Sequence, residues 1–247
     1  MFTSCPNTTI VVETDVDRSY SSNVTWTEPV ATDNTLIQGV TSNYSPGQNF
    51  TIGSTTVTYT AVDVFRLMST CSFVVIVEDR QAPVFTDCPS DIRLELPSTS
   101  STLNFTLPAT VTFDNSGEEY VTCNLPAWSI LPYGQVTVLC TVTDPAWNSD
   151  ECSFNVSIAE VTPPTFLYCP GNMSVNTGAA SSGSVSWGQV TVVDNNGPPM
   201  LTTSHTPGEF PVGTTLVEYT ATDIAGNIQV CAFNVTVIGK CDSLVIN

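Results

Sequence analysis

Positive charge is what this chain has least of. Its 247 residues hold 5 Lys and Arg against 23 Asp and Glu, a formal net charge of −18. A surface so acidic excludes nucleic acid and anionic lipid as partners, since both are bound through basic side chains. It favours solubility, cation binding, and a self-repulsion that bound cations relieve. Histidine is almost missing as well, with His205 alone. Ser-His-Asp and Cys-His machinery requires a positioned histidine, and His205 sits beside Thr206-Pro207 in a loop-like stretch. Glycosidases require two facing carboxylates. Glu118-Glu119 are adjacent and follow Asp114-Asn115-Ser116-Gly117, so they read as a solvated turn. No glycine-rich loop leads into a helix, and no segment has helical periodicity. No CxxC pair occurs, which argues against zinc. No apolar run reaches the roughly 18 residues that span a membrane as a helix. Met1-Phe2-Thr3-Ser4-Cys5 has neither the basic start nor the apolar core of a signal peptide. That fits a segment of a longer secreted chain or one whose signal has been removed. The chain reads as non-enzymatic, with no membrane insertion.

What is present is repetition. The stretch from Gly208 to Val237 holds an alternating strand (Thr215, Val217, Tyr219 and Ala221 on one face), a turn over Asp223-Ile224-Ala225-Gly226-Asn227, and a second strand that opens on Cys231 and alternates through Phe233, Val235 and Val237. Period-two apolar spacing broken by Gly and Asn predicts a half-buried β-hairpin. The same block stands at 53–77 and 134–158, so the chain is a threefold repeat. Each repeat opens on Cys-Pro, at Cys5, Cys88 and Cys169, with starts 83 and 81 residues apart. Each has a second cysteine on its last strand, at Cys71, Cys152 and Cys231. Nine cysteines, six of them at recurring positions, indicate an oxidising compartment. The expected bridges are Cys5–Cys71, Cys88–Cys152 and Cys169–Cys231. Each closes a loop long enough to contribute about 4 kcal/mol on the chain-entropy estimate.

The domains are expected at 1–79, 80–160 and 161–239, followed by a tail at 240–247. An alternating strand carries Val24-Thr25-Trp26, Phe105-Thr106-Leu107 and Val185-Ser186-Trp187. An Asp-Asn pair stands seven residues beyond Trp26, Leu107 and Trp187, at Asp33-Asn34, Asp114-Asn115 and Asp194-Asn195. Trp26 and Trp187 read as core residues between two sheets. Many short strands without helix predict an all-β chain of sandwiches. The linkers 77–83 and 159–164 are short and contain proline, so the joints should be semi-rigid and the whole a rod.

These residues in order resemble the hyalin repeat, or HYR domain. The third repeat carries the pattern most fully: Pro163-Pro164, Cys169-Pro170, Val185-x-Trp187, Asp194-Asn195, Phe210-Pro211-Val212-Gly213-x-Thr215, Tyr219-Thr220-Ala221-x-Asp223-x-Ala225-Gly226-Asn227 and Cys231-x-Phe233-x-Val235-x-Val237. The first repeat has Val64-Phe65-Arg66-Leu67 in place of the Ala-Gly-Asn turn. The second replaces the tyrosine with Cys140. The resemblance covers nearly the whole chain. It implies three tandem immunoglobulin-like β-sandwiches of an extracellular matrix or adhesion protein, without enzymatic activity.

Three further expectations follow. Cys140 stands where Tyr59 and Tyr219 stand, and Cys123 falls on the strand that neighbours it in an immunoglobulin-like sheet. That predicts an extra Cys123–Cys140 bridge, which requires Cα atoms within about 7 Å. The same strand order gathers acids at one pole of a repeat: Glu78, Asp79, Asp114 and Asp144 in the second, and Glu160, Asp194 and Asp223 in the third. Such a set suits calcium, which takes six to eight oxygens. The competing account is that Asp and Asn cap turns through their own backbone bonds. No other cofactor is expected. Cys241 is left over, which suggests an intermolecular bond or a reactive thiol. Ser243-Leu244-Val245-Ile246 has the character of a strand that adds to the sheet edge of another molecule; the competing account is a frayed end.

Eight Asn-x-Ser/Thr sequons, at Asn7, Asn23, Asn43, Asn49, Asn104, Asn155, Asn172 and Asn234, mark a glycoprotein. The functional expectation is an extracellular structural or adhesive protein, secreted or on the cell surface. It would be a segment of a matrix or surface filament that assembles head to tail with copies of itself or with other matrix glycoproteins. The alternative is a receptor or lectin-like ectodomain that grips a ligand, with Trp147 as its candidate aromatic.

Overall fold

The computed structural model describes residues 1–239. Cys241 and the expected connector strand lie outside the described residues. Every regular element among the described residues is a β-strand. Strand character follows from β-branched and aromatic residues at every second position, which pack on a pleated, half-buried surface. The chain forms two compact units, and the middle repeat contributes to both. The first unit holds Met1–Ser90, Pro108–Pro126 and Thr137–Phe154. The second holds Asp91–Leu107, Ala127–Val136 and the described chain from Asn155.

In the first unit, Ile10–Glu13, Met68–Glu78, Gly53–Asp63 and Ile37–Ser42 form a four-stranded sheet in that order. The hairpin Gly53–Asp63 to Met68–Glu78 runs in unbroken antiparallel register from Gly53↔Val77 to Val62↔Met68. Ile10–Glu13 joins it in parallel. Tyr20–Val24 pairs with Gln48–Thr51 in the facing sheet. Val57, Tyr59, Cys71, Phe73, Val75 and Val77 from the first sheet meet Val24 and Phe50 from the second, and Trp26 packs against them. Full burial of such a Val or Phe contributes about 1.5–3 kcal/mol. Two sheets packed face to face on one core form an immunoglobulin-like sandwich. From the middle repeat, this unit contains the pairs Val84–Asp87 with Val111–Phe113 and Tyr120–Cys123 with the end of Gly134–Thr143.

The second unit follows the same scheme. Met173–Gly178, Ile228–Gly239, Gly213–Thr222 and Met200–Thr203 form its four-stranded sheet, and Ser182–Val185 pairs with Gly208–Pro211. Val217, Tyr219, Cys231, Phe233, Val235 and Val237 pack against Phe210 and Val190, with Trp187 beside them. Its part of the middle repeat pairs Thr102–Thr106 with Trp128–Pro132, and Ile92–Glu95 in parallel with Val156–Ala159.

Two boundaries differ from expectation. The final strand opens at Ile228, three residues before Cys231, and the strands before the tryptophans stop at Val24 and Val185. Trp26 and Trp187 lie just past those strands and turn back over the core. Their indole N–H groups donate to the hydroxyls of Tyr59 (2.8 Å) and Tyr219 (2.9 Å).

Candidate functional site

Each repeat's closing hairpin turns on an aspartate: Asp63, Asp144 or Asp223. Its carboxylate accepts backbone N–H groups of the turn. Asp63 takes those of Phe65 and Leu67 at 2.8 Å each, Asp144 that of Asn148 at 2.8 Å, and Asp223 that of Asn227 at 2.8 Å. This is the Asx-turn habit of aspartate. The turn needs one residue with positive φ, filled by Arg66 (66°), Trp147 (71°) and Gly226 (90°). Glycine adopts that conformation without steric cost, whereas Arg and Trp do not.

Beside this turn in the middle repeat, the linker and the Asp-Asn loop bring in two more acids. Asp79, Asp114 and Asp144 are all buried, with carboxylate oxygens within 4.8 Å of one another. One oxygen of Asp79 accepts from the Gln81 N–H (3.1 Å) and from Asn115 Nδ2 (3.0 Å). Its other oxygen has no partner. Asp114 Oδ2 accepts the Ser116 N–H (2.8 Å) and the Ser116 hydroxyl, and its Oδ1 has none. Asn148 serves both oxygens of Asp144, through its N–H and through Nδ2 at 2.7 Å. Asn115 directs Nδ2 to three acceptors, Asp79 Oδ1, the Arg18 carbonyl at 3.1 Å and the Thr14 hydroxyl at 3.5 Å. That fixes its amide orientation and leaves Oδ1 buried without a donor. Two unit charges 4.8 Å apart repel by about 3.5 kcal/mol at an effective dielectric constant of about 20.

The third repeat gathers Glu160, Asp194 and Asp223 within the same distance. Here the acids are better served. Asn227 Nδ2 reaches Glu160 Oε2 (2.7 Å) and Asp223 Oδ2 (2.8 Å), and Glu160 Oε1 takes the Thr162 N–H at 2.7 Å. Burial alone would raise the Asp223 carboxyl. Hydrogen bonds from the Asn227 side chain and N–H and from the Gly226 N–H outweigh it and hold the group below the usual carboxylate range. Asp194 is only half-buried; Asn196 N–H binds its Oδ2, and its Oδ1 is unpartnered.

Glu78 does not join the expected set. It ends the strand Met68–Glu78, where alternation turns it away from the pole, and it pairs with Arg80 at 2.8 Å. Arg80 also reaches Glu13 at 2.9 Å, and no described Lys or Arg forms an ion pair with the acids of either cluster. In the first repeat, Asp33 is exposed and caps Thr35, whose hydroxyl bridges to Asp63 at 3.5 Å.

Four disulfides are closed: Cys5–Cys71, Cys88–Cys152, Cys123–Cys140 and Cys169–Cys231, with Cα separations of 5.7, 5.8, 4.0 and 5.9 Å. Of the sequon asparagines, Asn7, Asn23, Asn49, Asn104, Asn172 and Asn234 are exposed. Asn43 is exposed but holds the Thr58 N–H (2.8 Å) and the Thr56 carbonyl (3.0 Å). Asn155 is half-buried beside Asp91. Trp147 is 87% exposed and, with Tyr120, Thr122 and Pro145, lines a cavity of 340 Å³. Trp128, 78% exposed, was not singled out from the sequence; its strand's alternation is the signal that faces it outward.

Fold and disulfides together define a class: tandem, cystine-locked β-sandwich repeats. The HYR domain family model matches residues 1–77, 78–158 and 159–237, and the chain belongs to that family. Hyalin from Lytechinus variegatus is 34% identical over 227 residues, covering 88% of this chain and 43% of the relative. Hyalin from Strongylocentrotus purpuratus is 36% identical over 250 residues, covering 96% of this chain and 20% of the relative. The chain therefore spans less than half the length of these relatives. The sushi, von Willebrand factor type A, EGF and pentraxin domain-containing protein 1 of Rattus norvegicus is 33% identical over 159 residues, 63% of this chain and 4% of that protein. Among solved structures, Drosophila N-cadherin EC1-3 aligns at 11% identity and a TM-score of 0.36, covering 95% of this chain and 99% of that one. Sidekick-1 immunoglobulin domains 1-4 align at 11% identity and a TM-score of 0.34, covering 96% and 76%. Overlap this low carries no argument about function. Family membership and the four disulfides point to an extracellular protein.

Proposed function

We propose that this chain is a non-enzymatic, glycosylated segment of an extracellular matrix or surface filament, acting through head-to-tail association with copies of itself or with other matrix glycoproteins. The observation that carries this reading is that HYR repeats fill residues 1–237 end to end, with kinship to two hyalins. A chain built from one repeated, cystine-locked unit devotes its length to extension and contact. In this reading the joints are semi-rigid, the assembled form is a rod, and 241–247 is the connector. Electron microscopy of the purified protein tests it: long filaments are expected, and isolated particles that never associate contradict it.

One observation favours a second reading, a lectin-like ectodomain. Trp147 holds a positive-φ position that glycine fills in the third repeat, and its ring stands in solvent beside Tyr120 and a 340 Å³ cavity. Backbone strain kept at an exposed aromatic points towards function. Retention of free oligosaccharides by the chain, lost in Trp147→Ala, would favour this reading over the first.

A further inference from the structure

We infer that Asn104 carries an N-linked glycan whose first N-acetylglucosamine seats on Trp128 and Ile130, so that the chain covers an outward apolar pair with its own sugar. A sequon by itself singles nothing out, because eight stand in this chain. What singles out Asn104 is its register. Thr102–Thr106 pairs antiparallel with Trp128–Pro132, which sets Asn104 opposite Ile130 and Thr106 opposite Trp128. Phe105 and Leu131 at the alternate positions are buried, so Asn104, Thr106, Trp128 and Ile130 share the outward face. Directly opposed side chains have Cβ atoms about 4.5–5.5 Å apart, and diagonal neighbours, as Asn104 is to Trp128, lie about 7–8 Å apart. Trp128 is 78% exposed and Ile130 is 69% exposed. Apolar residues exposed singly are ordinary, but a Trp and an Ile side by side on one strand face form a patch that marks a contact. The other repeats have no such pair. Asn23 and Asn49 in the first, and Ser184 and Glu209 in the third, hold the outward positions of Asn104 and Ile130, and Gly47 and Pro207 stand where Trp128 stands.

The register also selects the occupant. A sugar bonded to Asn104 is tethered beside the patch, so its contact with the two side chains is intramolecular and keeps a high effective concentration. One face of a pyranose ring consists of C–H groups, and the N-acetyl group adds a methyl, while the hydroxyls remain in water. An indole offers the matching flat apolar surface, and its negative π-face attracts C–H groups. In the covalent step, Asn104 Nδ2 bonds to C1 of the first N-acetylglucosamine of a lipid-linked oligosaccharide donor. The C1–O bond to the donor's diphosphate breaks, the lipid diphosphate leaves with that electron pair, and the amide nitrogen gives up one proton. This placement rests on the reading of the chain as a glycoprotein and is independent of association between chains.

The test uses the full chain secreted from a eukaryotic host and trimmed by an endoglycosidase to one N-acetylglucosamine at each occupied sequon. Glycopeptide mass spectrometry should find Asn104 occupied. In NMR spectra of the trimmed protein, the acetyl methyl of that sugar should show nuclear Overhauser contacts to the Trp128 indole. Asn104→Gln should lower the melting temperature by about 2–4 °C, the scale that one lost contact gives a chain of this size. In a Trp128→Thr, Ile130→Thr background the same substitution should shift it by less than half as much. Asn104 bare while other sequons are occupied overturns the placement and leaves the glycoprotein reading standing. Every sequon bare overturns both. An occupied Asn104 without Overhauser contacts to Trp128, or an equal melting shift in both backgrounds, also overturns the placement, since the sugar then points into solvent. Occupancy and Overhauser contacts are read on the parent chain, so a variant that fails to fold does not block the test.

Discussion

Single residues explain most of the differences between the repeats. Trp26 with Tyr59 and Trp187 with Tyr219 form hydrogen-bonded pairs across the two sandwiches. The middle repeat has Leu107 and Cys140 at those positions, so both partners are absent together and Cys123–Cys140 takes the place of the bond. Losing one partner alone leaves an indole N–H without its acceptor. Tyr59→Phe should therefore lower stability by about 1 kcal/mol, read as an earlier chemical-denaturation midpoint with an unchanged slope. Trp147 presents the opposite case. Its φ of 71° suits glycine, so Trp147→Gly should leave stability unchanged or raise it by up to about 1 kcal/mol. A marked loss would show that the exposed ring does structural work not visible in its contacts.

At the scale of elements, the hairpins were the most legible part of the sequence, and the reason is physical. Tyr59, Ala61 and Asp63 alternate with outward residues along one strand and all point into the core or its pole, so period two is written directly in composition. The sandwich class and HYR kinship were likewise legible from recurring residues. Less legible was what depends on side-chain reach. The Trp–Tyr bonds join residues 33 and 32 positions apart, and nothing in local pattern announces them. Glu78 was grouped with Asp79 because they are neighbours in sequence, yet in an extended chain neighbours face opposite sides. The disulfides of the middle repeat offer a test of loop closure. Cys123–Cys140 spans 17 residues and Cys88–Cys152 spans 64. Replacing Cys123 and Cys140 by Ala should cost about 1 kcal/mol less than replacing Cys88 and Cys152. Equal losses in paired denaturation curves would place the effect in native packing instead.

At the scale of the molecule, charge and repetition have to be reconciled. A chain with a net charge of −18 repels its own copies, and at 0.15 M salt that repulsion reaches only about 8 Å. Association is therefore expected to strengthen with ionic strength and to depend on short-range contacts at the ends. The proposed connector is residues 241–247, so their deletion should abolish assembly while the three repeats stay folded by circular dichroism. The most direct measurement is sedimentation velocity of the full chain over a hundred-fold concentration range at physiological salt. Open-ended head-to-tail association requires a weight-average sedimentation coefficient that rises steadily with concentration. A single monomer boundary unchanged across the whole range would contradict it.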